Sequence, residues 1–351
     1  MRMLLADSFL HHFDPFAFRF SENVGLRWYG LSYAVGFLLA WLFARWMAKS
    51  GRSTLTVRDV GDMMFSVILG VLIGGRLGYA ILYEQRLLTD FTGQFPFWGL
   101  FAINKGGMAS HGGMVGVIIA LTWFGRRRGL SVLHMLDIGC LASTFGLFLG
   151  RIANFINAEL WGKPLPDLQQ SYVIGRGLTQ VDPPWWSIKY PQEVTELWTH
   201  ANDARLEMLE PLQRIIADAD RFYPKIVAAA QKGDAPVVAT LKPLLTAYYP
   251  SQLIQALTDG PLLAAVLVLV WLKPRKPGVV GSWFLIAYAV MRVITEMFRQ
   301  PDEGVALTFG LSRGQLLSAL MFLTGCVCLW IATHRKVEKM SGLLRPMHAR
   351  E

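Results

Sequence analysis

Apolar runs about as long as a bilayer is thick recur along this chain, and they restrict its fold more than any other feature. Roughly twenty helical residues cross the hydrocarbon core. In lipid, every backbone N–H and C=O must find a partner within a helix or a closed barrel. Seven such runs fall at residues 28–48, 60–84, 107–125, 132–157, 252–272, 279–299 and 313–334. With 53% hydrophobic and 17% charged residues in 351, the expected fold is all-α, a polytopic membrane protein with seven transmembrane helices. The net charge of +9 would suit nucleic acid, but the basic residues sit mainly in short loops between apolar runs. There they set orientation, so no nucleic-acid partner is expected.

Lys49, Arg52 and Arg58 follow the first run, Arg126, Arg127 and Arg128 the third, Lys273, Arg275 and Lys276 the fifth, and His334, Arg335, Lys336 and Lys339 the last. These four clusters share one side of the membrane, which the positive-inside rule makes cytoplasmic. The N-terminus is then extracytoplasmic and the C-terminus cytoplasmic. The expected division is an interfacial segment (1–27), helices 1–4 (28–159), an extracytoplasmic helical head (160–251), helices 5–7 (252–334) and a cytoplasmic tail (335–351). In the head, Pro164, Pro166, Pro183, Pro184, Trp185 and Trp186 predict irregular chain. Leu206, Leu209, Leu212 and Ile215 then predict helix. Cys140, Cys326 and Cys328 all lie in apolar runs, so core packing is expected of them, without a disulfide, a metal site or a reactive thiol.

Polar residues interrupt three of the runs. Gly150-Arg151-Ile152-Ala153-Asn154-Phe155-Ile156-Asn157-Ala158-Glu159 closes the fourth, and Arg151, Asn154 and Glu159 recur on one helical face. In the sixth, Tyr288, Arg292 and Glu296 form a stripe at spacing four, where Arg292 and Glu296 can pair within the helix. Arg76, Arg151 and Arg292 each lie roughly 9–12 Å below the outer end of their span at 1.5 Å per residue. Ionisable groups at such depth usually face a protein interior or an aqueous cavity. Guanidinium groups fork onto phosphate oxygens, so Arg151 and Arg292 are expected to hold a phosphate headgroup, on a surplus of positive charge. His111 opens the third run among Gly106, Gly107, Gly112, Gly113 and Gly116, with packing and catalysis both open to it.

Trp28-Tyr29-Gly30, Gly74-Gly75-Arg76-Leu77-Gly78-Tyr79, His111-Gly112-Gly113, the stretch from Gly150 to Glu159, and Arg292 through Glu296 to Arg299-Gln300-Pro301-Asp302 together resemble the prolipoprotein diacylglyceryl transferase family. The likeness covers residues 25–160 and 249–335. It implies a multi-pass enzyme of the bacterial inner membrane, whose substrates are phosphatidylglycerol, a membrane lipid, and the lipobox cysteine of prolipoproteins. The products are a thioether-linked lipid and glycerol 1-phosphate, with no cofactor or metal. The resemblance carries catalytic roles onto Arg151, Arg292 and His111, and substrate-binding roles onto Arg151, Tyr29, Arg76, Asn154, Glu159, Tyr288 and Glu296. For the thiol's proton, His111, Glu159 and Glu296 are candidates, and a positive site also lowers a thiol's own pKa.

Two departures stand out. Where the family has His-Pro-Ser-Gln-Leu-Tyr-Glu this chain has Tyr249-Pro250-Ser251-Gln252-Leu253-Ile254-Gln255, and residues 190–247 match no family motif. The rival functional class is a transporter or flippase for an anionic lipid or solute, which also uses buried arginines. It would require polar groups along the whole path rather than at one depth. A membrane scaffold is a third class.

Overall fold

A computed structural model describes residues 8–20, 25–91, 93, 95–102, 106–165, 183–216, 221–300 and 312–344. The chain is mostly helical. Among the described residues six helices are long and apolar enough to cross a membrane. They are α1 (Trp28–Lys49), α2 (Val57–Leu82), α4 (Val132–Ile156), α7 (Ser251–Trp271), α8 (Val279–Glu296) and α9 (Arg313–His334). The third expected run forms α3 (Ser110–Arg127). It falls outside the six because His111 and three glycines dilute one end and two arginines occupy the other.

Two compact units make up the chain. The first comprises Met1–Ala34, Leu147–Pro261 and Val290–Ser318; the second comprises Val35–Gly146, Leu262–Ala289 and Ala319–Glu351. Helices α1, α4, α7, α8 and α9 contribute residues to both, so the units follow packing rather than the order of segments along the chain.

In the second unit α2 starts at a reciprocal cap. Asp59 N donates to Thr56 Oγ1 at 3.2 Å, and Thr56 N donates to Asp59 Oδ2 at 2.9 Å, satisfying two otherwise orphaned donors. Arg128 bridges Asp59, at 2.9 Å, and Asp62, fastening the end of α3 to the start of α2. Along their length these helices touch backbone to backbone. A Cβ on Gly74 would overlap the Gly112 carbonyl, and one on Gly116 the Gly70 carbonyl. Small residues permit that approach where lipid removes the usual hydrophobic drive. Gly107, at φ +79°, lies against Arg76 and Tyr79 with no room for a side chain. Asp137, inside α4, is satisfied by the backbone: Gly278 N and Gly281 N each donate to its carboxylate at 2.7 Å, at the start of α8. On the tail side, Met340 N donates to Arg275 O and Leu343 N to Trp271 O, both at 2.8 Å, while Arg52 Nε donates to Leu343 O at 2.8 Å.

The first unit contains a helical module with its own core. Val194, Trp198, Leu209, Leu212, Ile226 and Leu241 are buried together, on short helices that include α5 (Phe222–Gln231) and α6 (Ala235–Leu241). Leu209 and Leu212 face inward as their spacing predicts, but Ile215 is exposed. The segment Ala204–Arg214 is a 3₁₀ helix instead of an α-helix, and it contains Pro211. Glu193 ties the module together. Its carboxylate accepts from Thr246 N (2.9 Å), Thr246 Oγ1 (2.6 Å) and Trp198 Nε1 (3.0 Å), and pairs with Arg205 at 3.3 Å.

The N-terminal segment adds short strands. Strand β1 (Phe9–Leu10) pairs in parallel with β4 (Ile188–Lys189), and β2 (Phe16–Arg19) pairs antiparallel with β3 (Gly25–Arg27). His11 is fully buried, and its Nε2 lies 2.8 Å from Phe155 O as donor. Burial is the main reason its pKa falls to about 4, against the Phe155 bond, which raises it. The unfolded histidine takes a proton near pH 6.5 and the folded one does not. Stability is therefore expected to fall as pH drops from about 6.5 to about 4, by at most roughly 3 kcal/mol at about 1.4 kcal/mol per unit. Melting curves at pH 7 and 4.5 check this: wild type loses more than His11→Gln, and equal losses would refute it.

Candidate active site

The end of α4 turns back on itself. Glu159 N donates to Asn154 O at 2.9 Å, and Ala158 (φ 53°) and Leu160 (φ 56°) take left-handed conformations that side chains disfavour by about 1–2 kcal/mol. This reversal holds the Glu159 carboxylate beside the first turn of α1. Tyr29 Oη donates to Glu159 Oε2 at 2.7 Å, and Asn154 Nδ2 donates to the same tyrosine oxygen. From α7, Gln252 Nε2 donates to Glu159 O at 2.7 Å, while Gln252 Oε1 accepts from Tyr190 Oη at 3.2 Å.

A second cluster in the same unit carries the two arginines. Arg151 Nε donates to Asp259 Oδ2 at 3.3 Å, and the Asp259 side chain is completely buried. Arg292 lies 2.9 Å from Glu296 Oε2 as an ion pair one helical turn apart, in a geometry not aligned as a hydrogen bond. Glu296 Oε1 accepts from Ser312 Oγ at 3.2 Å. Among the described residues, the buried Arg292 Nη1 and Glu296 Oε2 have no hydrogen-bond partner. The Arg151–Asp259 and Arg292–Glu296 pairs both lie in the first unit.

Asp259 is a site residue that the sequence motifs do not mark. A lone carboxylate in an apolar run was the available signal, since such groups mark function by default. It sits on a wide π-turn, Thr258–Leu262, that contains Gly260 and Pro261. Pro261 has no N–H to give the preceding turn, which explains a local departure from α geometry. Asp259 also corrects the expectation of surplus positive charge. Within this cluster Arg151 and Arg292 face two carboxylates, Asp259 and Glu296.

Arg76, His111 and Tyr288 fall in the second unit. Arg76 is buried and donates to the carbonyls of Gly99 (2.7 Å), Leu100 (2.8 Å), Gly106 (2.6 Å), Gly107 (3.0 Å) and Ala102 (3.3 Å). All three of its nitrogens are engaged in ordering the loop before α3. His111 helps line a 670 Å³ apolar groove along α2 and α3, together with Leu77, Gly78 and Val115. The Tyr288 ring stacks on Phe284 at 5.7 Å. Pro301 and Asp302 lie outside the described residues. Among the described residues no group of three His, Cys, Asp or Glu is arranged to hold a metal ion.

The family model described as prolipoprotein diacylglyceryl transferase matches residues 15–331, nearly the whole chain. The chain belongs to the prolipoprotein diacylglyceryl transferase family. Among curated members of that family, the phosphatidylglycerol–prolipoprotein diacylglyceryl transferase of Bdellovibrio bacteriovorus is 37% identical, over 96% of this chain and 97% of its own length. The enzymes of the same name from Photorhabdus laumondii and Yersinia pestis are 34% and 35% identical, over 93% and 94% of this chain and 96% and 97% of their own. The prolipoprotein diacylglyceryl transferase match spans both side-chain clusters described above and all seven long helices except the last residues of α9.

Proposed function

We propose that this protein transfers the diacylglyceryl group of phosphatidylglycerol to the lipobox cysteine of a prolipoprotein. The observation that carries this reading is a pair of guanidinium groups within one unit, each paired with its own carboxylate, Arg151 with Asp259 and Arg292 with Glu296. Among the described residues Arg151 is bonded through Nε alone, which leaves its terminal nitrogens for a ligand, and Arg292 Nη1 has no hydrogen-bond partner. Two such forks suit a single phosphodiester.

In the reaction the cysteine sulfur attacks the glyceryl carbon and a C–S bond forms. The carbon–oxygen bond to phosphate breaks, and its electron pair stays on the oxygen of glycerol 1-phosphate. Arg151 and Arg292 stabilise the charge that gathers there, a contribution worth roughly 3–4 kcal/mol per donor in other enzymes. The thiol proton passes to Glu296, whose Oε2 is ion-paired with Arg292 but accepts no hydrogen bond among the described residues. Neutralising Glu296 frees the full charge of Arg292 for the leaving phosphate. Tyr29, Asn154 and Glu159 line the entry for the ester and the peptide, and Arg76 acts within its own unit by ordering the loop before α3.

The enzyme crosses the bacterial inner membrane seven times, with α3 as the additional span. Its glycine contact with α2 supports this reading, because a helix so packed shares the depth of its neighbour. Bonds from the tail to Arg52, Trp271 and Arg275 support a common, cytoplasmic side for the basic ends of α1, α7 and α9. The N-terminal segment and the segment between α4 and α7 are then extracytoplasmic, and the C-terminal tail is cytoplasmic.

The test is a purified protein in vesicles with phosphatidylglycerol and a lipobox peptide. The peptide is expected to gain one diacylglyceryl unit, and its Cys→Ser version to stay unmodified; anionic lipid moving across the bilayer without thiol modification would refute the proposal. For His111→Asn a partial loss of turnover is expected in the same assay. Complete loss with intact lipid binding would transfer the base role from Glu296 to His111.

A further inference from the structure

One buried side chain beside the arginine cluster is left with nothing to bond. Gln255 is 1% exposed, and neither its Nε2 nor its Oε1 has a hydrogen-bond partner among the described residues. Its neighbours on the same face of α7 are satisfied. Gln252, one turn earlier, bonds Glu159 and Tyr190, while Asp259, one turn later, bonds Arg151. Residues at such spacings have Cβ atoms about 5–6 Å apart. The free amide therefore lies between the Tyr29–Glu159 cluster and the Arg151–Asp259 pair, within the first unit. Asn157, on the turn after α4 in this unit, also has a buried, unpartnered Oδ1.

Leaving a buried amide unpaired is unfavourable, and an apolar residue of similar size would relieve it. A primary amide offers donors and an acceptor at one place. A hydroxyl matches it, since it both accepts and donates. Beside a phosphate held by Arg151, the hydroxyls within reach are those of a polyol headgroup.

We infer that Gln255 is the specificity-determining residue for the headgroup, its amide pairing with a glycerol hydroxyl of phosphatidylglycerol while the arginines hold the phosphate. This rests on the proposed function. It adds a reader of the leaving group to a clamp that any anionic phospholipid would satisfy. A site built to bond a hydroxyl discriminates against the analogue lacking it, because its polar group is then unpaired.

The test substitutes Gln255→Met in the full-length protein and compares phosphatidylglycerol with phosphatidylmethanol, an anionic phospholipid without headgroup hydroxyls. KM for phosphatidylglycerol is expected to rise about tenfold, as for the loss of one hydrogen bond. The KM for the peptide should be unchanged. The preference for phosphatidylglycerol over phosphatidylmethanol should fall about tenfold, and the melting temperature should stay level or rise. Gln255→Glu, which carries the family's residue and keeps an acceptor at the same reach, should retain the preference. An unchanged KM and preference in Gln255→Met, a lowered melting temperature, or loss of preference in Gln255→Glu would each overturn the inference. If the wild type transfers nothing from phosphatidylglycerol, the proposed function fails by itself; the melting comparison still reports whether the amide has a partner.

Discussion

Arg151→Ala is expected to remove diacylglyceryl transfer from labelled phosphatidylglycerol in vesicles, lowering kcat/KM by at least about 10²–10³-fold, the usual loss for one preorganised donor. The protein should still insert, but less stably. Asp259 is completely buried and bonded to Arg151. Stripping an ion pair of one partner leaves an uncompensated charge, at a cost of about 3–5 kcal/mol. Two consequences can therefore be separated. Adding Asp259→Asn to Arg151→Ala removes the stranded charge, so thermal stability should recover while turnover does not. Recovery of turnover with stability would make Arg151 a structural partner of Asp259 and remove it from the chemistry.

Gly116→Val is expected to prevent α2 and α3 from packing. A Cβ at that position would overlap the carbonyl of Gly70, and backbone cannot move aside as a flexible side chain can. The loss should exceed the roughly 1–3 kcal/mol usual for overpacking and appear as a large drop in folded yield after membrane insertion. Gly61→Ala in the same helix α2 is the control. A Cβ there meets nothing within 4 Å, and exchanging an interior helical glycine for alanine should raise stability by up to about 1 kcal/mol. Equal behaviour of the two variants would show that the glycine contact does not hold the helices together.

The apolar runs were legible because lipid allows few alternatives, and six of them form helices of the expected length and hydropathy. Depth along a helix was legible as well; direction was not. The sequence put Arg76 at the same depth as Arg151 and Arg292, yet its guanidinium faces the loop carbonyls from Gly99 to Gly107. Spacing did give the Arg292–Glu296 pair, because both residues lie on one helix. Asp259 escaped because its partner is distant in sequence, and nothing local marks it beyond the Gly260-Pro261 that follows. The pairing of β1 with β4 was hidden for the same reason: two-residue strands carry no periodicity, and their partners are nearly 180 residues apart. In the head segment, hydrophobic spacing found Leu209 and Leu212, but the segment containing Pro211 is a 3₁₀ helix, whose different period leaves Ile215 exposed.

The central claim is that Arg151 and Arg292 grip one phosphate. A double-mutant cycle on the binding of glycerol 1-phosphate to the purified protein tests it, with Arg151→Lys, Arg292→Lys and the pair. Lysine keeps the charge in each place but cannot fork onto two oxygens. If both groups share one phosphate, the double variant binds little worse than the weaker single one, because the first change already breaks the shared geometry. Losses that simply add would mean two independent sites and would contradict the clamp.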